Sequence, residues 1–262
     1  MDAIDLKEFG KVFREDYDNP TVLFQDSGHR IYWLGVPEAT AFRCNTYLIV
    51  DNDEAIVVDP GGTDYFEFVR DRVAQILPPE RVVAQVLSHQ DPDVAASFPL
   101  WVEINPNIKV IASGRTHTIL SHFRDIPYVS IDIYDHSDYR FTSGKTIQFI
   151  PSPFMHSPGA FTTYDHTSKF LFSGDIWAAL DMEWTLVVDN FSKHELKLNL
   201  FHLDYMSSNK AARGFVNRIK DLEIEAILPQ HGSIIPGEFV PLALNYLTHL
   251  NCGIDILYPD LK

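Results

Sequence analysis

Positive charge is scarce in this chain: 21 lysines and arginines stand against 36 aspartates and glutamates, a formal net charge of −15. A surface of that sign repels phosphate backbones, and no local basic patch interrupts it, so nucleic acid is not expected as a partner. Part of the excess can be carboxylate that a bound cation would neutralise. Cysteine is scarcer still. Cys44 and Cys252 lie far apart and outside any C-x-x-C spacing, which argues against a disulfide framework and predicts two buried, reduced thiols. Long apolar runs are missing as well. None approaches the roughly 20 residues of a membrane helix. The opening MDAIDLKEFG is acidic and lacks the basic-then-apolar layout of a signal peptide. A cytoplasmic protein with no membrane insertion is the expectation. No repeat, low-complexity tract or long linker divides the chain, so residues 1–262 are read as one domain.

What the chain has is a series of short apolar segments rich in β-branched and aromatic residues. Those at 31–34, 46–50, 55–58, 82–87, 109–112, 146–150 and 170–172 are bounded by Gly, Pro, Asn or Asp and read as strands. Asp51-Asn52-Asp53-Glu54 reads as a hairpin between two of them. Helical spacing appears between the strands. Thr63 is placed to cap a helix carrying Phe66, Val69, Val73 and Ile76 on one face, ended by Pro78-Pro79. A second helix follows Ser207-Ser208, with Ala212, Phe215, Val216 and Ile219 on one side. Strands grouped early and again later, with helices between, predict an α/β fold of two packed sheets with helices outside, a four-layer αββα sandwich. The ends, up to about Tyr17 and beyond about Leu247, read as attachments.

The chemistry concentrates in Val86-Leu87-Ser88-His89-Gln90-Asp91-Pro92-Asp93. A buried-type strand runs into a loop offering one imidazole and two carboxylates at alternate positions. In an extended segment such side chains point the same way, and Pro92 holds Asp91 extended. A lone H-x-D is more often a turn or a cap; H-x-D-x-D at a strand end is seldom accidental. Three more polar residues follow apolar segments in the same manner. His156 lies in Pro153-Phe154-Met155-His156-Ser157-Pro158-Gly159, Asp175 follows Phe170-Leu171-Phe172-Ser173-Gly174, and His231 follows Ala226-Ile227-Leu228-Pro229-Gln230. Singly, each is an ordinary loop or hydrogen-bonded residue. Together they predict a metal site.

From about Ile31 to Pro236 the sequence resembles the metallo-β-lactamase superfamily, and within it the flavodiiron proteins. The likeness rests on Asn45-Thr46-Tyr47-Leu48-Ile49, Val57-Val58-Asp59, the His89 motif, Phe161-Thr162-Thr163-Tyr164, Leu171-Phe172-Ser173-Gly174-Asp175 and Pro229-Gln230-His231-Gly232. It implies that His89, Asp91 and His156 bind one metal, that Asp93 and His231 bind a second, and that Asp175 bridges the two. Hydrolases of the superfamily typically read H-x-H-x-D-H. Here Asp91 replaces the second histidine, as an acid does in flavodiiron proteins. Val94 stands where that pattern has its last histidine, which leaves the second metal with few protein ligands and an open coordination position. The remaining histidines have no spacing partner and are expected at the surface or in hydrogen bonds, with His29 a possible outer group of the pocket. Tyr164 and Trp177 are open between lining a cavity and packing the core.

Three imidazoles and three carboxylates contribute about −3 against +4 from two divalent ions, a hard donor set that favours iron over zinc. The resemblance therefore implies two iron ions cycling between Fe2+ and Fe3+, with a bridging water, hydroxide or oxygen-derived ligand. It implies no flavin, because the chain has no flavodoxin-like segment and no Gly/Ser/Thr-rich phosphate loop. The function expected is dioxygen binding by a di-iron protein, as an O2 sensor or carrier beside a chemotaxis receptor. A separate electron-donor protein would make the same site an O2 or NO reductase. Metal-dependent hydrolysis and a metal-free scaffold are the other readings, and metal content separates them.

Overall fold

The computed structural model of the protein describes residues 2–9, 19–35 and 40–260. Of the N-terminal attachment expected up to Tyr17, residues 10–17 lie outside the described residues.

A period of two decides the layering. The first sheet takes its strands in chain order: β1 (Thr21–Asp26), β2 (His29–Trp33), β3 (Tyr47–Asp51), β4 (Glu54–Val58), β5 (Val82–Val86), β6 (Lys109–Ala112) and β7 (Val129–Asp132). Ile31 and Trp33 face one apolar core while Tyr32 and Leu34 face another. Tyr47 and Ile49 likewise oppose Leu48 and Val50, and Ile56 and Val58 oppose Ala55 and Val57. Both faces are therefore covered. The second sheet is built from β8 (Asp138–Arg140), β9 (Thr146–Pro151), β10 (Phe161–Asp165), β11 (Phe170–Gly174), β12 (Ala226–Pro229) and β13 (Ile235–Pro236). Its order across the sheet is β13-β12-β11-β10-β9-β8. Phe149, Phe161, Phe172 and Leu228 of this sheet pack against the inner side of the first.

Helices cover both outer faces. After the short α1 (Leu6–Phe9), α2 (Phe66–Ala74), α3 (Pro92–Ala95), α4 (Phe98–Ile104) and α5 (Gly114–Leu120) come between strands of the first sheet. Val69, Val73, Phe98 and Trp101 join its outer core. Further along, α6 (Phe191–Tyr205), α7 (Asn209–Ile219), α8 (Val240–His249) and α9 (Ile254–Leu257) follow β11 and β13. Leu198, Phe201, Phe215 and Leu247 pack there against Leu171 and Ile227. The αββα sandwich is what the sequence predicts.

Two local expectations differ. A 3-10 turn, Thr63–Tyr65, precedes α2, and the Thr63 hydroxyl donates to the Ala96 carbonyl at 3.4 Å instead of capping. The loop motif also bends earlier than expected: Asp91 is extended (φ −67°, ψ 149°) but serves as the residue before α3, so Asp93 stands in the first helical turn. The hairpin at Asn52-Asp53 forms as expected, with Asp51 paired to Glu54. So does α7, where the Ser208 hydroxyl accepts the Ala211 N–H at 3.3 Å.

One buried polar cluster ties the sheets together. His29 lies 3.1 Å from Asp51 and 3.2 Å from Asp165, and all three side chains are fully buried. Its two nitrogens are thereby committed far from the metal-ligand motif, so His29 is a core group. Lys145 reaches Asp51 from the edge at 3.2 Å.

Candidate metal centre

The site sits where strands of both sheets end. β5 leads through Leu87 to Ser88, whose N–H donates to the Asp59 carboxylate at 2.9 Å. Asp59 follows β4 with φ +50° and is buried. Burial raises its pKa to about 6, against the lowering effect of the Ser88 N–H. The Ser88 hydroxyl lies 3.1 Å from Nδ1 of His89, which leaves Nε2 to face the pocket. Gly174 (φ +56°) turns the chain out of β11, and a Cβ there would meet the Ser88 hydroxyl at 2.8 Å. Asp175 is presented by that turn. Behind it, the Trp177 N–H donates to Nε2 of His202 at 2.9 Å, and Nδ1 of His202 donates to the Leu198 carbonyl at 2.9 Å.

The third strand end is β12. Gln230 N–H donates to the Gly174 carbonyl at 2.8 Å and Asn45 N–H to the Gln230 carbonyl at 2.6 Å. His231 pairs with Cys44 in an isolated antiparallel bridge. Nδ1 of His231 is committed to the Arg43 carbonyl at 3.1 Å, so its Nε2 also faces inward. Phe42 covers the ring at a centroid distance of 3.9 Å. His156 arrives on the loop after β9, where the Ser157 hydroxyl donates to Gln90.

All six residues expected from the sequence converge, in two groups that share Asp175. Its Oδ2 lies 2.8 Å from Nε2 of His156 and 3.5 Å from Nε2 of His89. Asp91 Oδ2 is 3.7 Å from each of those nitrogens. The other oxygen, Oδ1, lies 3.5 Å from Nε2 of His231, which is 3.1 Å from Asp93 Oδ2. Gln230 Nε2 donates to that same Asp93 oxygen at 3.3 Å. One carboxylate thus aims an oxygen at each group, the disposition of a bridging ligand.

The donor atoms fit a pair of cations. His89 Nε2, His231 Nε2 and Asp175 Oδ1 are buried and have no hydrogen-bond partner, a costly state unless something cationic completes them. Burial alone would raise the Asp175 carboxyl. The charges of His89, His231 and His156 outweigh it and hold the group well below the usual range. Burial would lower His231, but Asp175 and Asp93 raise it well above its ordinary value. His89, Asp175 and His231 are 2%, 4% and 0% exposed, whereas Asp91 and Asp93 are 37% and 32% exposed. The centre therefore opens on the side of the two aspartates.

Several neighbours were not marked in the sequence as parts of the site. Cys44 is one: its sulfur, an Asp93 oxygen and a His231 nitrogen all lie within 4.8 Å of one another. Others are Phe201 and Tyr205 of α6, whose rings lie 5.8 and 6.0 Å from that of His156. Tyr164 and Trp177 pack in the core instead, donating to the Glu223 carbonyl at 2.6 Å and the Ala243 carbonyl at 3.0 Å. Val94 is wholly buried in the outer core of the first sheet.

Fold and ligand pattern together define the class, a metallo-β-lactamase fold of the flavodiiron type. The family described as ODP family beta lactamase matches residues 42–232, a span that includes all six residues. The chain belongs to that family. It is 35% identical to the structure titled apo state of chemotaxis sensor ODP from T. denticola, with a TM-score of 0.83 over 93% of this chain and 99% of that one. A second structure, titled peroxy diiron species of chemotaxis sensor ODP, is 34% identical with a TM-score of 0.81, covering 92% and 100%. Among curated proteins, the nitric oxide reductase of Moorella thermoacetica is 25% identical over 236 residues, 78% of this chain and 55% of that protein. The chain spans between 25% and 58% of the length of such curated relatives. Among the described residues, no helix is long and apolar enough to cross a membrane.

Proposed function

We propose that the chain is a non-haem di-iron protein that binds dioxygen and reports it to a chemotaxis receptor. The observation that carries this reading is the division of Asp175, one oxygen toward His89 and His156 and the other toward His231. In this reading His89, Asp91 and His156 hold one iron, Asp93 and His231 hold the other, and Asp175 spans both. Two ferrous ions so held would supply the two electrons that reversible dioxygen binding needs. The protein's part is to fix His89 and His231 by the other ring nitrogen, as the Ser88 hydroxyl and the Arg43 carbonyl do. Apolar rings, Phe42 over His231 and Phe201 beside His156, lie against these imidazoles. The sensor role draws on the two chemotaxis-sensor structures that the chain resembles along nearly its whole length.

The test is the visible spectrum of protein loaded anaerobically with ferrous iron, before and after oxygen. A charge-transfer band that appears with oxygen and fades on its removal is the expected result. Two irons that stay ferrous and colourless in air would defeat the reading. Likeness to the Moorella nitric oxide reductase supports a second one, turnover of O2 or NO with a separate electron-donor protein. Steady consumption of either gas with an added reductant would favour it over sensing.

A further inference from the structure

The second group of ligands is one histidine poorer than the flavodiiron pattern, since Val94 occupies that position and packs into the outer core. Another donor stands nearby. We infer that Cys44 is a ligand of the second metal, binding as a thiolate opposite Asp93 and His231. The inference rests on the two-metal reading above.

Three observations carry it. Cys44 is held by the antiparallel bridge to His231, so the backbone of one ligand fixes the position of the other. Its sulfur lies 3.8 Å from Asp93 Oδ2, and one donor atom from each of Cys44, Asp93 and His231 falls within 4.8 Å of the others. His231 Nε2 points into that space from a fully buried ring, 3.1 Å from Asp93 Oδ2 but without a well-formed hydrogen bond. A cation among the three would satisfy the nitrogen and use sulfur, oxygen and nitrogen donors together, a set that divalent transition metals accept. A thiolate joins the three carboxylates Asp91, Asp93 and Asp175 to give about −4, which balances two divalent ions. The competing arrangement is a neutral thiol that donates S–H to Asp93 from outside the ligand shell. Cys252 is the internal control. It is buried near Asp255, with its pKa pushed up to about 12 by burial.

The decisive experiment is iron K-edge X-ray absorption, with metal analysis, on anaerobically loaded wild type, Cys44→Ser, Cys44→Ala and Cys252→Ala. Two irons per chain with a sulfur scatterer at about 2.3 Å, near the zinc–thiolate value, are expected in the wild type and in Cys252→Ala. The scatterer should vanish in both Cys44 variants, with affinity for the second metal weakened at least about tenfold and the first metal retained. Cobalt loading gives an independent readout, a thiolate charge-transfer band present in wild type and absent in Cys44→Ser. Two metals without a sulfur scatterer would overturn the assignment of Cys44 and leave the two-metal reading standing. Fewer than two metals in the wild type would sink that reading, and this one with it.

Discussion

Two of the three imidazoles, His89 and His231, are aimed by what the far nitrogen touches. His89 is held through Ser88, which Asp59 in turn holds by its N–H, and His231 is held by the Arg43 carbonyl. Such outer contacts fix tautomer and orientation before a metal arrives. Asp175 differs because its two oxygens face different groups, Oδ2 toward His156 and Oδ1 toward His231. Asp175→Ala is therefore expected to lose both metals rather than one, with circular dichroism unchanged. Elemental analysis checks it, and two irons retained in that variant would rule out the bridging role. Gly174 is a residue whose reason is only steric: its positive φ and the Ser88 hydroxyl 2.8 Å from an added Cβ leave no room for a side chain at the turn that presents Asp175.

At the scale of elements, the two sheets meet through apolar side chains and buried polar contacts, the His29 cluster among them. Burial would raise the Asp165 carboxyl, but hydrogen bonds and charge from His29, with Ser168, hold it below its ordinary range. Removing the imidazole leaves two carboxylates facing each other across the sheets without the group between them. His29→Leu is expected to destabilise the fold by about 3–5 kcal/mol. The measurement is the urea midpoint; a shift corresponding to less than about 1 kcal/mol would mean the cluster contributes no net stability. The strand assignments from short apolar segments hold for β2 to β6, β9 and β11. The pattern fails at β7 and β8, where positions are exposed or half-buried and no apolar run exists to read. It fails again at α6, whose buried positions Phe191, His194, Leu198, Phe201 and His202 include two histidines that a hydropathy reading counts as polar.

For the whole molecule, those two histidines make stability depend on pH. Burial lowers the pKa of His194 to about 3 and that of His202 to about 4. Below about 6.5 the unfolded chain takes up protons that the folded one refuses, so each contribution lowers stability as pH falls toward the folded value. Above about 6.5 both states are neutral and neither contributes. His156 and His231 are raised instead, so in metal-free protein they act in the opposite sense. A difference between variants isolates the effect. The stability of wild type minus that of His194→Gln is expected to fall by about 1–2 kcal/mol from pH 7 to pH 5. A difference that stays constant in thermal unfolding would show that His194 protonates in the folded state. The negative charge read from composition, −15, is partly explained at this scale, since the donor set gathers Asp91, Asp93 and Asp175 at one opening.

The layers, and the six residues that the fold brings together, were legible before folding because their signals are local. A short continuous apolar run with turn residues at its bounds marks a strand buried on both faces, and a polar residue after each strand end is a matter of adjacency along the chain. Cys44 was not legible in this way. In the sequence it has no spacing partner and reads as a buried thiol. Only the pairing of its backbone with His231, 187 positions away, brings sulfur beside the Asp93 and His231 donors. The same holds for the division of Asp175 between two groups, and for His29 between two sheets. Side chains that meet across strands far apart in the chain are set by register and sheet packing, and no short stretch of sequence contains that information.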